Sequence, residues 1–175
     1  MDVFQAITER ASYRGAYDPA PVPKEDLQTI MDAGLAAPSG CNKQTTRLIA
    51  IDDPVVLQKL LGVGFRIGRS APAMICLLTK PIIACRDVTF FIQDYSAAIQ
   101  NMLLAIVALG YQSCWVEGQV TDANRLGRKM ADILNVPDDW DLVCYLPIGI
   151  ATEPLTHVEK APFSERAWFN GYQKD

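Results

Sequence analysis

Apolar and polar positions alternate between a helical and an extended period along this chain. A short helix is expected from about Asp2 to Arg10, followed by the Pro-rich connection Pro19-Ala-Pro-Val-Pro23. Leu27, Ile30, Met31 and Leu35 then recur at helical spacing. Pro23 suits a first-turn position, Glu25 and Asp26 suit the positive end of the dipole, and the helix should stop before Pro38-Ser39-Gly40. Arg47-Leu-Ile-Ala-Ile51 reads as a strand and Pro54 to Leu61 as a helix. The unbroken apolar run Ala73-Met-Ile-Cys-Leu-Leu-Thr79 reads as a buried strand.

The longest helical stretch is expected from about Asp87 to Leu109, ending at Gly110, a residue suited to the left-handed position after a helix. Its second half is apolar on nearly every face and should be buried all round. Gln100 and Asn101 interrupt it, and it is too short to span a membrane. Ala97, Ala98 and Ala105 would let a second subunit approach closely; plain core burial is the alternative. Beyond it, Tyr111 to Val116 reads as a strand, Thr121 or Asp122 as the cap of a helix running to about Leu134, and Leu142 to Ile150 as a strand. The polar tail from Thr152 carries Phe163, Trp168, Phe169 and Tyr172, so it either wraps a partner or packs on its own subunit.

With 175 residues, half of them apolar, the chain suits one domain with a substantial core. A net charge of -4 with scattered cations argues against nucleic-acid binding, so any anion site must be local. The N-terminus shows no basic region leading into an apolar signal core, and the cytoplasm is the expected compartment. Cys41, Cys76, Cys85, Cys114 and Cys144 form no CxxC pair and read as packed core thiols. The single histidine, His157, removes His-rich metal sites, weakens any Ser-His-Asp scheme, and reads as a surface residue.

Local chemistry is concentrated in Glu9-Arg-Ala-Ser-Tyr-Arg14. Arg10, Ser12 and Arg14 at alternate positions would lie on one side of an extended segment, where two guanidinium forks and a hydroxyl can converge on a phosphate. A solvated helix end with Ser12 as a cap or turn residue is the other reading. Gly62-Val-Gly64-Phe-Arg-Ile-Gly68 imitates a dinucleotide loop, but its third glycine is one place late. It also follows a helix and precedes a strand, the reverse of the order that aims a helix N-terminus at a pyrophosphate, so it reads as a turn.

Taken together, Arg10-x-Ser12-x-Arg14, Ala37-Pro-Ser-Gly-Cys-Asn42-Lys-Gln44, the long apolar helix and Trp115-Val-Glu117-Gly118 resemble the FMN-dependent nitroreductase family at the same relative places. The resemblance spans nearly the whole chain. It implies an α+β fold, a mostly antiparallel sheet surrounded by helices, built as an intertwined homodimer with FMN at the interface. One domain would cover residues 1–175, with a tail from about 152 packing on the partner. By the same resemblance, Arg10, Ser12 and Arg14 would hold the ribityl phosphate, joined by Lys160. Pro38, Ser39, Asn42 and Gln44 would line the flavin site from the other subunit. Glu117 and Gly118 would lie beside the ring, and Arg66 against its pyrimidine end. Thr45-Thr46 stands where the family commonly has Pro-Trp, and Val63-Gly64 where many members place an asparagine.

The implied activity is a ping-pong NAD(P)H oxidoreductase acting on nitroaromatic, quinone or similar acceptors. Its chemistry resides at flavin N5 and requires no catalytic side chain or metal. A flavin-storing or sensing dimer with little turnover, or another flavin chemistry on the same fold, is the alternative. Neither nucleic acid nor membrane is expected as a partner.

Overall fold

The computed structural model describes residues 1–118, 120–121 and 126–172. Eleven elements are numbered in chain order: α1 (Val3–Glu9), α2 (Lys24–Leu35), β1 (Thr46–Ile51), α3 (Pro54–Leu61), β2 (Ala73–Thr79), β3 (Ile83–Cys85), β4 (Val88–Thr89), α4 (Phe91–Ala108), α5 (Leu126–Ile133), β5 (Asp141–Ile148) and α6 (Phe163–Arg166). β2 is the centre of a three-stranded antiparallel sheet, flanked by β1 and β5.

Strand periodicity explains the layering. Ala73, Ile75 and Leu77 of β2 face a core shared with α2 and α4, whereas Met74, Cys76 and Leu78 face a second core shared with α3 and α5. Both faces of β2 are covered, which is why its sequence is apolar without alternation. A bulge between Leu77 and Leu78 shifts the register against β5. Caps set the helix starts: Asp2 accepts from the Gln5 N–H at 2.9 Å, and Asp53 accepts from the Val55 and Val56 N–H groups ahead of Pro54.

Four expectations need correction. The long helix begins at Phe91, because Arg86 and Asp87 adopt left-handed φ of 49° and 64° and turn a small β3–β4 hairpin. It is not buried all round, since Gln100, Ala108 and Leu109 are exposed. Residues 111–116 form no regular strand; they make isolated bridges, Ser113 to Ser12, Gln112 to Gly149 and Val116 to Tyr145. Cys41 and Cys85 are exposed, leaving Cys76, Cys114 and Cys144 as the core thiols. The proposed cap at Asp122 lies outside the described residues. Among the described residues, no helix is long and apolar enough to cross a membrane.

Candidate functional site

The N-terminal segment behaves as its alternation requires. α1 ends at Arg10, whose φ of -62° and ψ of 117° start an extended run. Ala11 and Tyr13 are buried, so Arg10, Ser12 and Arg14 project from the other side. The Tyr13 N–H donates to the Ser113 carbonyl at 2.9 Å, fixing the segment on the sheet side. Behind it lies Cys114. Burial pushes that thiol up, while Arg14, Arg10 and a hydrogen bond with Ser12 act in the opposite direction.

The same segment captures the start of the tail. The Thr152 N–H and hydroxyl donate to the Ala16 carbonyl at 3.2 and 2.9 Å, and the Tyr13 hydroxyl accepts from the Thr152 and Glu153 N–H groups. The chain that follows runs back along the N-terminal segment and brings Lys160 opposite Arg10, Ser12 and Arg14. A cleft of about 690 Å³ lies between them. Among the described residues, three fixed cations line it and no carboxylate does, a local excess of positive charge in a protein of net charge -4. His157 lines the same cleft and is exposed, the surface placement expected from its polar surroundings. Its only sequence signal is its position three residues before Lys160.

The segment at 38–45 is built differently. A 3-10 turn at Gly40–Asn42 is followed by a tight bend, and Cys41, Asn42 and Gln44 have left-handed φ of 49°, 54° and 48°. Such non-glycine conformations persist only where neighbours over-determine them. Here the neighbour is Asp94, buried in the first turn of α4. Its Oδ1 accepts from the Gly40 N–H at 2.7 Å and its Oδ2 from the Thr45 hydroxyl at 2.8 Å. The Ser39 hydroxyl accepts from the Gln44 N–H at 3.0 Å. Pro38, Ser39 and Gln44 line a cavity of about 410 Å³, while Asn42 is exposed outside it. No residue lines both this cavity and the cationic cleft.

Tyr95, beside Asp94, extends the same helical turn to a third segment. Its hydroxyl donates to Glu117 Oε1 at 2.6 Å, and the Trp115 indole N–H donates to Oε2 at 2.8 Å. Burial, then the bond to Glu117, pushes the Tyr95 hydroxyl far up. Both oxygens of Glu117 are thus held by the chain itself, bracing the bend into Gly118. A Cβ added at Gly118 would meet nothing within 4 Å, so packing within this chain does not demand glycine there. Arg66 is exposed on the turn between α3 and β2. Asp94 and Tyr95 were missed by sequence reasoning; the available signal was an acid in the first turn of an otherwise apolar helix.

This mixed α+β chain, with a cationic cleft at one place and a braced loop cavity at another, has clear relatives. The model of the Nitroreductase family matches residues 7–63 and 64–150, and the chain belongs to that family of oxidoreductases. A protein of Archaeoglobus fulgidus, provisionally named an NADH dehydrogenase/NAD(P)H nitroreductase, is 29% identical over 85% of this chain and 84% of its own length. Among solved structures, a nitroreductase with bound FMN from Bacteroides fragilis is 26% identical, with a TM-score of 0.78 over 97% of this chain and 98% of its own. A BluB-like flavoprotein from Clostridium difficile shares the fold at a TM-score of 0.83 and 21% identity, covering 97% of this chain and 99% of its own.

Proposed function

We propose that this chain is an FMN-dependent NAD(P)H oxidoreductase that reduces nitroaromatic, quinone or similar acceptors. The observation that carries the reading is the carboxylate-free cleft lined by Arg10, Ser12, Arg14 and Lys160. Its donor set fits a phosphate dianion: two forks, an ammonium and a hydroxyl, each able to make a charge-assisted hydrogen bond. FMN held by Arg10, Ser12, Arg14 and Lys160 would supply the redox chemistry, hydride transfer from a nicotinamide and reduction of the acceptor in ping-pong order.

The protein's own part is to hold and shape. Arg10, Ser12, Arg14 and Lys160 anchor the phosphate end. Glu117, locked by Tyr95 and Trp115, fixes the backbone at Gly118, whose open side leaves room for a planar ring and whose N–H is free of a side chain's shadow. Arg66 offers a cation for the pyrimidine end. Pro38, Ser39, Asn42 and Gln44 serve a cofactor held by a second copy of the chain, which accounts for a braced loop in a cavity separate from the phosphate cleft. The exposed aromatics Phe163, Phe169 and Tyr172 of the tail pack on that second copy, and the homodimer works in the cytoplasm.

The test is the visible spectrum of the purified protein after FMN is added and free flavin removed, followed by NADH or NADPH without oxygen. A bound-flavin spectrum that bleaches and recovers on adding a quinone or nitroaromatic supports the enzyme. Retained flavin that resists bleaching favours a storage role, and no retained flavin overturns the reading. Light scattering at micromolar concentration reports the dimer, and a monomeric mass removes the shared site.

A further inference from the structure

The cationic cleft contains one titratable group that the phosphate reading does not use. His157 lines it together with Arg10, Ser12, Arg14 and Lys160. The hydrogen bonds of Thr152 and Glu153 to the N-terminal segment set the path of the tail that carries it. We propose that His157 is a fifth phosphate-binding residue, that its imidazolium form pairs with the cofactor's phosphate, and that cofactor retention is therefore pH-dependent.

The inference rests on the flavin reading and deepens it. Imidazole is the side chain whose charge changes in the physiological range, whereas the guanidinium and ammonium groups stay charged there. Arg10 and Arg14 from the N-terminal segment and Lys160 from the tail share the cleft with His157; the Cys114 thiol behind Ser12 is pushed up by burial. No carboxylate lines the cleft to neutralise an imidazolium. A phosphate entering this site stabilises the protonated ring, which favours proton uptake, while the phosphate's own second ionisation, with a pKa of about 6, favours proton release. As pH rises and the imidazole becomes neutral, that part of the affinity is lost.

His157 is exposed, so its replacement leaves the core intact. The experiment compares FMN affinity by fluorescence quenching for the full chain and for His157→Gln. At about pH 6 the variant should bind about tenfold more weakly, and at about pH 8 the two should agree within about threefold. His157→Arg should restore affinity at about pH 6 and show no loss of it at about pH 8. Riboflavin, which lacks the phosphate, should be indifferent to all three side chains. Calorimetry in buffers of different ionisation enthalpy should show that the unsubstituted chain takes up more protons, or releases fewer, on binding FMN than His157→Gln does. A ratio that is the same at both pH values, or unchanged affinity, overturns the role of His157 while leaving the flavin reading intact. Failure of the unsubstituted chain to bind FMN at either pH overturns the flavin reading itself.

Discussion

The cationic cleft and the first turn of α4 organise polar groups in opposite ways. In the cleft, Arg10, Arg14 and Lys160 converge without a carboxylate among the lining residues, an arrangement that stores mutual repulsion until an anion arrives. At α4, Asp94 and Tyr95 bind their partners within the chain, each at 2.8 Å or less, and three left-handed residues are held in place beside them. On the proposed function, one region receives a ligand and the other is stiff without one. Substitutions should therefore separate: changes in the cleft should lower affinity and spare stability, and changes at α4 should lower stability first.

The largest effect is expected at Asp94. Asp94→Ala would leave the Gly40 N–H and the Thr45 hydroxyl without their acceptor in a buried place, a loss of about 3 kcal/mol of unfolding free energy. Asp94→Asn retains one acceptor oxygen and should lose about half of that. Urea unfolding measures both. If Asp94→Ala changed stability by less than about 0.5 kcal/mol, the Ser39–Gln44 bond would suffice to hold the bend, and the contrast between the regions would collapse.

In the cleft, Arg14→Ala should weaken FMN binding about tenfold to hundredfold, the loss of one charge-assisted bond to phosphate. Its urea midpoint should stay where it was, since the side chain is exposed and its hydrogen bond to the Ser12 carbonyl is long, at 3.4 Å. A large stability loss with unchanged affinity would reverse the assignment. Glu117→Gln comes next. An amide has one acceptor oxygen for the two donors from Tyr95 and Trp115, so stability should fall by about 1.5 kcal/mol. A chain retaining full stability would mean that the bend at Gly118 is set by backbone bonds alone.

The same contrast explains what could be read from the sequence. Periodicity found β2 and α3 because burial on both faces of a strand, and a helix opening on Pro54, are local patterns. The alternation of Arg10, Ser12 and Arg14 was legible because extended chain converts a spacing of two into one side. His157 was not legible as a cleft residue, since it reaches the cleft through tail bonds to residues more than a hundred positions away. Asp94 was equally hidden: its partners Gly40 and Thr45 lie about fifty positions earlier, and the β3–β4 hairpin that sets where α4 begins turns on two left-handed residues, Arg86 and Asp87, without a glycine to announce it.

The smallest effect sharpens the comparison, because it concerns a paired group on the cleft side. Tyr111 opens the irregular segment whose Ser113 supports the Arg10–Arg14 run, and its hydroxyl donates to Asp26 Oδ2 at 2.7 Å, tying that segment to the first turn of α2. Burial, and then the bond to Asp26, pushes the hydroxyl up to about 12. A folded value above the unfolded one of about 10 means that the stabilisation is present in full below about pH 10 and is lost as pH rises through about 12. Tyr111→Phe should therefore cost about 1 kcal/mol near neutrality and show a shallower decline of stability in alkali than the unsubstituted chain. If the support of the N-terminal run depends on this tie, FMN affinity should fall slightly as well, about twofold. Unchanged affinity would mean that the backbone bond from Tyr13 to Ser113 holds the phosphate-binding edge without help from α2.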